Sequence, residues 1–390
     1  MPTKPQEIKQ EVETAVIVGV QLRGVTNELF QESMAELHEL VRSAEAEVVG
    51  AVLQRRPAPD SRHFIGSGKV TEVGDIVNKT GATMVIFDDQ LSPAQVRNLE
   101  NELKVKVIDR GNLILDIFAK RARTTAAMLQ VELAQLQYLL PRLTRMWSHM
   151  TRHVGGIGTR GPGETQLESD RREIQNKISK LKLRLKKLDK QRITQRKRRQ
   201  GVFKIALVGY TNAGKSTIFN HLASAGVWAD DLLFCTLDAV TRSLPISNGN
   251  EIVISDTVGF IQKIPHELIA SFASTLDEVR YADLLLQVID ISHPNAIDHN
   301  QETERVLEEI GAGDIPRILI MNKADKLPDP EIQALSLNHA AEKRFLVSAR
   351  TQFGMDKMVN FLREYVEKNI QTGLGHNLKS SNGEARNFNR

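Results

Sequence analysis

A single cysteine, Cys235, in 390 residues leaves no partner for an intrachain disulfide and no ligand set for a cysteine-based zinc cluster. Such a chain suits a reducing compartment. No apolar run approaches the ~18 residues that a membrane-spanning helix needs. The stretch from Met1 to Glu13 is polar and acidic, unlike a secretory leader. These absences point to a cytoplasmic protein with no membrane partner. Nothing in the sequence demands a dimer, so a monomer is expected. What is present is ordinary in bulk: 41% hydrophobic and 26% charged residues, and enough chain for two or three domains with cores of their own.

Net charge is also small, +4, but it is unevenly spread. Residues 171–199 hold 14 Lys and Arg against only Glu173 and Asp189, a local charge of +12, so the rest of the chain is net acidic. A concentration of this kind is an electrostatic footprint for a polyanion.

Chemistry concentrates further along. Gly209-Tyr210-Thr211-Asn212-Ala213-Gly214-Lys215-Ser216 has the G-x-x-x-x-G-K-[ST] form. It follows the apolar run Ile205-Ala206-Leu207-Val208 and opens a helical pattern at Thr217, the strand–loop–helix setting that the motif requires. Backbone N–H groups at a helix N-terminus point at phosphate oxygens, and glycines permit close approach. Alone, the loop implies only a nucleotide.

Asn322-Lys323-Ala324-Asp325, after the apolar residues 318–321, makes the base guanine. The Asp325 carboxylate can accept from both the ring N–H and the exocyclic amine of guanine, and adenine offers neither donor. Sites built on such pairing reject the wrong partner by about 10⁴–10⁵. Ser348-Ala349 follows a further strand at 344–347 and fits a loop whose backbone N–H meets the guanine carbonyl. Each four-residue piece taken singly reads as a solvated turn; in register behind the phosphate loop they read as one GTP site.

Between these motifs lies an apolar run ending in Asp256, then Thr257-Val258-Gly259. Asp256 is expected to hold Mg²⁺ through water and Ser216 to ligate it directly, while the Gly259 N–H senses the γ-phosphate. Thr236, in an aperiodic loop at 231–241, is the expected second hydroxyl ligand, although Thr241 and Thr211 also lie in loops. Lys215, Thr236 and Gly259 are thus the candidate catalytic residues. Phe260 stands where many small GTPases place a water-orienting Gln, and a phenyl ring cannot do that work. Slow intrinsic turnover and stimulation by a partner are expected. Asn212 has two readings: an Asn here coordinates K⁺ in GTPases lacking the Gln, or it merely tolerates a tight turn.

The remainder sets the architecture as α/β, a P-loop GTPase domain with a mostly parallel sheet, preceded by a small α/β domain and an antiparallel helical hairpin. In residues 1–111, strand runs at 15–20, 48–53, 84–87 and 105–108 alternate with helical patterns at 28–44, 69–79 and 93–103. Gly66-Ser67-Gly68-Lys69 mimics a phosphate loop but lacks its spacing and reads as a helix start. Residues 112–200 carry two heptad seams. One is Leu129, Leu133, Leu136, Leu140, Leu143 and Trp147; the other is Ile174, Ile178, Leu181, Leu185 and Leu188. Pro141 should kink the first helix. The connection at 151–165 is rich in glycine and longer than a helical turn needs, which makes it either a probe for a narrow RNA or protein cleft or a plain linker. The GTPase domain takes 201–370, and 371–390 is expected to be a disordered tail.

Taken together, these residues resemble the HflX family of ribosome-associated GTPases. The likeness rests on Phe64-Ile65-Gly66-Ser67-Gly68-Lys69, Leu91-Ser92-Pro93-Ala94-Gln95, Leu115-Asp116-Ile117-Phe118-Ala119, Gly161-Pro162-Gly163-Glu164-Thr165-Gln166-Leu167-Glu168, the phosphate loop, and Asp256-Thr257-Val258-Gly259-Phe260-Ile261. The resemblance implies binding to the large ribosomal subunit and its rRNA, with the hairpin tip near the peptidyl-transferase region. It also implies splitting of stalled or idle ribosomes in the GTP state and departure on hydrolysis. Arg160 in the tip and Lys177, Lys180, Lys182, Lys186, Lys187 and Lys190 on the basic helix are the candidate RNA contacts. The contrasting reading is a signalling-type or RNA-assembly GTPase regulated by protein partners.

Overall fold

The computed structural model describes residues 13–146, 162–198, 202–223, 233–234, 240–245, 251–263, 276–328 and 343–371. They fall into two compact units, one within Met1–Lys120, Leu129–Leu183 and Lys263–Glu267, the other within Arg121–Met128, Arg184–Gln262 and Leu268–Arg390. The expected tip residues 151–161, Trp147, Thr236 and the tail from 372 lie outside the described residues. Among the described residues, no helix is long and apolar enough to cross a membrane.

In the first unit, β1 (Thr14–Leu22), β2 (Glu47–Arg56), β3 (Met84–Phe87) and β4 (Lys106–Asp109) form a sheet ordered β2-β1-β3-β4, with every pairing parallel. The sequence dictates this arrangement. β1 is apolar along most of its length and buried from Ala15 through Gln21, as a strand covered on both faces must be. Three helices, α1 (Asn27–Ser43), α2 (Ser67–Thr80) and α3 (Pro93–Leu103), supply the crossovers. Each has a readable start. Thr26 caps α1 by accepting from the Leu29 N–H, and Ser92 and Gln95 form a reciprocal capping box with Pro93 in the first turn of α3. Gly66 is the N-cap residue of α2, so the glycine pair there is a helix start. Val16, Val18, Ile65, Val73, Phe87 and Leu99 sit in the core.

Where β4 ends, α4 (Arg110–Arg121) begins without a linker, an element that the periodicity did not reveal. Asp109 makes the junction: its Oδ1 accepts the Asn112 N–H at 2.9 Å and its Oδ2 accepts the Leu91 N–H at 3.1 Å. Next to it, Arg110 is 1% exposed. It donates to Asp88 Oδ1 at 2.7 Å and also pairs with Glu36. Burial alone would raise the Asp88 pKa, but positive charge, that of Arg110 foremost, holds it below its usual value. From α5 (Thr125–Met146), Arg142 reaches Asp109 at 3.3 Å and lies 3.3 Å from the centre of the Tyr138 ring.

α5 runs through Pro141, and α6 spans Pro162–Arg198, 37 residues or about 55 Å at the usual rise. α6 takes in residues 162–165, which the sequence placed in the connection. Proline is well suited to a first helical turn, where its missing N–H has no intrahelical partner to lose. Along α6, Ile178 and Leu181 are buried and Ile174, Leu185 and Leu188 half-buried, while the basic positions between them are exposed.

The second unit holds six strands, β5 (Phe203–Gly209), β6 (Val240–Pro245), β7 (Glu251–Asp256), β8 (Leu284–Asp290), β9 (Arg317–Asn322) and β10 (Lys343–Leu346), ordered β10-β9-β8-β5-β7-β6. All pairings are parallel except β6 with β7. Val240 and Thr241 therefore belong to an edge strand and not to an aperiodic loop; Thr241 Oγ1 lies 3.1 Å from Ser255 Oγ on β7. Among the described residues the unit's helices include α7 (Lys215–Ala223), the single turn α8 (Asp277–Arg280), α9 (Ala296–Glu309) and α10 (Met355–Gln371). Strand order reverses on either side of β5, so the crevice at its carboxyl end, between β7 and β8, is where such a sheet binds ligands.

Arg110→Met should cost about 3–5 kcal/mol, because it leaves Asp88 charged and buried without its main counter-ion. Urea denaturation followed by circular dichroism checks this, and an unmoved first transition would show that the pair contributes nothing.

Candidate nucleotide site

The phosphate loop leaves β5 at Gly209, whose φ of 143° and close approach to Val288 exclude any side chain; an added Cβ would lie 2.2 Å from the Val288 carbonyl oxygen. Asn212 (φ 57°) and Gly214 (φ 97°) are left-handed as well. Left-handed residues at these points curl the backbone into a concavity whose N–H groups converge, with the N-terminus of α7 behind it. Asn212 is exposed, and its φ is what the tight-turn reading requires. Thr217 is exposed on the first turn of α7.

Lys215 is 6% exposed and folds back over the loop, donating to the Gly209 and Tyr210 carbonyls at 3.1 and 2.7 Å. Its neighbour Ser216 donates from Oγ to Asp256 Oδ2 at 2.6 Å. Asp256, fully buried at the end of β7, therefore shares one point in space with the helix-borne hydroxyl. A hydroxyl and a carboxylate converging in this way form a hard-oxygen donor set of the kind Mg²⁺ takes. Thr257 points the other way and donates to the Leu207 carbonyl at 2.5 Å. Val258 is buried, and Gly259 lies so close to Lys215 that an added Cβ would sit 2.8 Å from Nζ. Phe260 is 2% exposed, its ring packed in the interior.

At the base-side end, Asn322 joins three loops. Its Nδ2 donates to the Ala213 carbonyl at 2.9 Å, and its Oδ1 accepts the Ala349 N–H at 3.0 Å. Lys323 is left-handed (φ 64°), and the 3₁₀ turn Ala324–Lys326 carries Asp325. Ser348 Oγ donates to Asp325 Oδ1 at 2.6 Å and itself accepts the Thr351 N–H at 3.1 Å. The nominated residues Gly209 to Thr217, Asp256 to Gly259, Asn322, Lys323, Asp325, Ser348 and Ala349 thus lie at the carboxyl ends of β5, β7, β9 and β10, with the Thr257 hydroxyl turned to the Leu207 carbonyl and Val258 buried. The candidate RNA lysines Lys177, Lys180, Lys182, Lys186, Lys187 and Lys190 lie on α6 and are all exposed. Arg160, like Thr236, is outside the described residues.

Sequence reasoning missed Asp290. It ends β8 and pairs with Lys323 Nζ at 2.7 Å, while its other oxygen accepts from the Ser292 N–H and hydroxyl at 3.0 and 2.6 Å. An acid closing the apolar strand 284–289 was the available signal, the same one that marked Asp256. Also unforeseen is the environment of Tyr210, whose ring stacks on His299 with centroids 3.7 Å apart.

Comparison with known proteins agrees with this geometry. Residues 31–119 match the family described as GTP-binding GTPase N-terminal, residues 121–199 the GTP-binding GTPase Middle Region, and residues 204–323 the 50S ribosome-binding GTPase family. The chain is 44% identical to GTPase HflX of Caldanaerobacter subterraneus subsp. tengcongensis over 368 residues, 94% of this chain and 83% of that protein. It is 46% identical to GTPase HflX of Escherichia coli K12 over 354 residues, 90% of this chain and 82% of that one. Among solved structures it is similar to the complex of SsGBP with GDP, with 26% identity and a TM-score of 0.50, covering 93% of this chain and all of that one. With a guanine-nucleotide site on a P-loop sheet and relatives this similar along most of its length, the chain belongs to the HflX family of GTPases, enzymes that hydrolyse GTP.

Proposed function

We propose that this GTPase binds the large ribosomal subunit and, in its GTP state, promotes the splitting and rescue of stalled or idle ribosomes. The observation that carries the reading is α6, on which six lysines are exposed between apolar positions that are turned inward. Exposed charge on a helix of about 55 Å tracks a phosphate backbone without reading its sequence. The description of the family matched by residues 204–323, a 50S ribosome-binding GTPase, supports a ribosomal RNA as the polyanion.

In this reading Lys215 turns from the loop carbonyls to neutralise the phosphates, and the backbone N–H groups of residues 210–217 cradle them. Asp325, held by Ser348, accepts from guanine. Lys323, held by Asp290, lies along the base. Gly259 offers its N–H to the γ-phosphate. Ser216 and Thr236 would ligate Mg²⁺, and Asp256 would hold it through water; the ion would neutralise charge on the phosphates. Asn212 would add K⁺ in the role of a missing cation, its exposed amide being the group available for it. Since Phe260 is buried and carries no polar atom, it orients no water. Intrinsic turnover is then slow, and the subunit supplies what the site lacks. Arg160 in the tip and the α6 lysines are the RNA contacts.

The test is phosphate release from GTP with and without purified large subunits. At least tenfold stimulation is expected, and none would remove the ribosomal reading while leaving the GTPase intact. Replacing Lys182, Lys186 and Lys190 together by Gln should weaken subunit binding and lower the slope of log affinity against log salt by about 2. An unaltered slope would take those lysines off the RNA. Asp325→Asn should reduce the preference for GTP over ATP by at least about 100-fold; competition binding reads this directly, and unchanged discrimination would refute the assignment.

A further inference from the structure

We propose that Tyr210 is a positioning residue that sets the preference between GTP and GDP, by clasping residues 260–262 onto the phosphate loop in a form that a γ-phosphate has to open. The inference rests on the guanine-nucleotide site alone and is independent of the ribosomal reading.

Three hydrogen bonds make the clasp. The Thr211 N–H donates to the Phe260 carbonyl at 2.7 Å, and the Phe260 N–H donates to the Gly209 carbonyl at 3.1 Å. Tyr210 and Phe260 thereby pair as an isolated parallel bridge that continues the sheet beyond the ends of β5 and β7. Any residue could supply those backbone groups. The third bond needs a particular side chain, for the Gln262 N–H donates to the Tyr210 phenol oxygen at 2.9 Å. Only an acceptor at the far end of a long, stiff side chain reaches that amide.

The phenol is aimed before it is used. Its ring lies against His299 of α9, with centroids 3.7 Å apart and planes within 4° of parallel, and His293 sits 4.4 Å beyond His299. Tyr210 is 7% exposed, so its ring has little freedom to lose when the Gln262 amide arrives. Through its own carbonyl the same residue also accepts from Lys215 Nζ. Tyr210 thus touches the phosphate-binding lysine, the segment after Asp256 and the helix after β8.

Closing the clasp draws Gly259 against the phosphate loop, at the group that only GTP would use. A Cβ on Gly259 would lie 2.8 Å from Lys215 Nζ, from Thr211 Cα and from Thr211 Cγ2. In this form Gly259 is packed against Thr211 and the Thr211 N–H is spent on the Phe260 carbonyl, so a γ-phosphate that takes the Gly259 N–H has to lift this segment off the loop. GDP, which ends at the β-phosphate, meets no such obstacle. GTP has to open the clasp, and its affinity is lowered by whatever the closed form is worth.

Tyr210→Phe removes the acceptor and keeps the ring on His299. Calorimetric titration of the full chain with GDP and with a non-hydrolysable GTP analogue is the experiment. The analogue should bind about 3- to 10-fold more tightly relative to GDP than it does to the wild type, the worth of one hydrogen bond, with GDP affinity changed less than about twofold. His299→Ala, which frees the ring, should shift the ratio in the same direction. Hydrogen exchange at residues 259–263 should be slow in wild type with GDP, faster with the analogue, and fast with either nucleotide in Tyr210→Phe. An unchanged ratio, or equal losses for both nucleotides, would overturn the clasp and leave a purely structural tyrosine. A wild-type chain that bound neither nucleotide would overturn the guanine site itself and the clasp with it.

Discussion

The side chain of Asn322 is the tie on which the nucleotide site depends. Three loops leave the carboxyl ends of β5, β9 and β10, and nothing in a parallel sheet fixes the distance between such loops. Asn322, 2% exposed, donates to the phosphate loop at Ala213 and accepts from the base-side loop at Ala349. Gly214 makes room for it, since a Cβ there would fall 2.2 Å from Asn322 Nδ2. The phosphate end and the base end of the crevice are therefore held at one spacing by a single amide with both its donor and its acceptor used. A shorter or charged side chain could do one of these two things and not the other.

The selectivity of the base end follows from burial and pairing in the same way. Asp325 meets a hydroxyl whose oxygen is itself fixed by the Thr351 N–H, so its carboxylate is oriented before any base arrives. Lys323 occupies a left-handed conformation that a side chain adopts at a cost, and its ion pair with Asp290 holds it there. Such preparation is what a four-residue motif needs if it is to discriminate between purines. The groups that would be left unpaired by adenine are already committed to their positions.

Much of this was legible in the sequence because the signals were local. Apolar runs ending in Gly209, Asp256 and Asn322 are buried parallel strands, and the motif that follows each one sits at its carboxyl end, where this fold binds ligands. β6 was not legible. An edge strand with exposed Ser243 and half-buried Val240 presents no apolar run, and its pairing with β7 is set by residues 6 to 16 positions away. α4 was hidden for the opposite reason: the strand before it ends and the helix begins at one residue, Asp109, so no turn residues punctuate the change. Asp290, Tyr210 and His299 act across 33 to 89 positions of sequence, far beyond the reach of a helical or strand periodicity.

The two chemistries of the chain differ in what they ask of their side chains. On the proposed reading guanine is recognised by one carboxylate with a fixed direction, so that a one-atom change there would alter the outcome. α6 uses lysines on flexible stems, compact point charges with no planar fork to match a base edge. Lysines of this kind gain affinity from released counterions and carry no sequence information of their own. Where such a helix binds is then decided by the shape and charge density of the polyanion. The proposed partner, a large folded RNA, meets that condition better than a defined short sequence would. The apolar seam matters for the same reason: with Ile178 and Leu181 buried, Lys180 between them and Lys177 and Lys182 beside them are kept on the outer face.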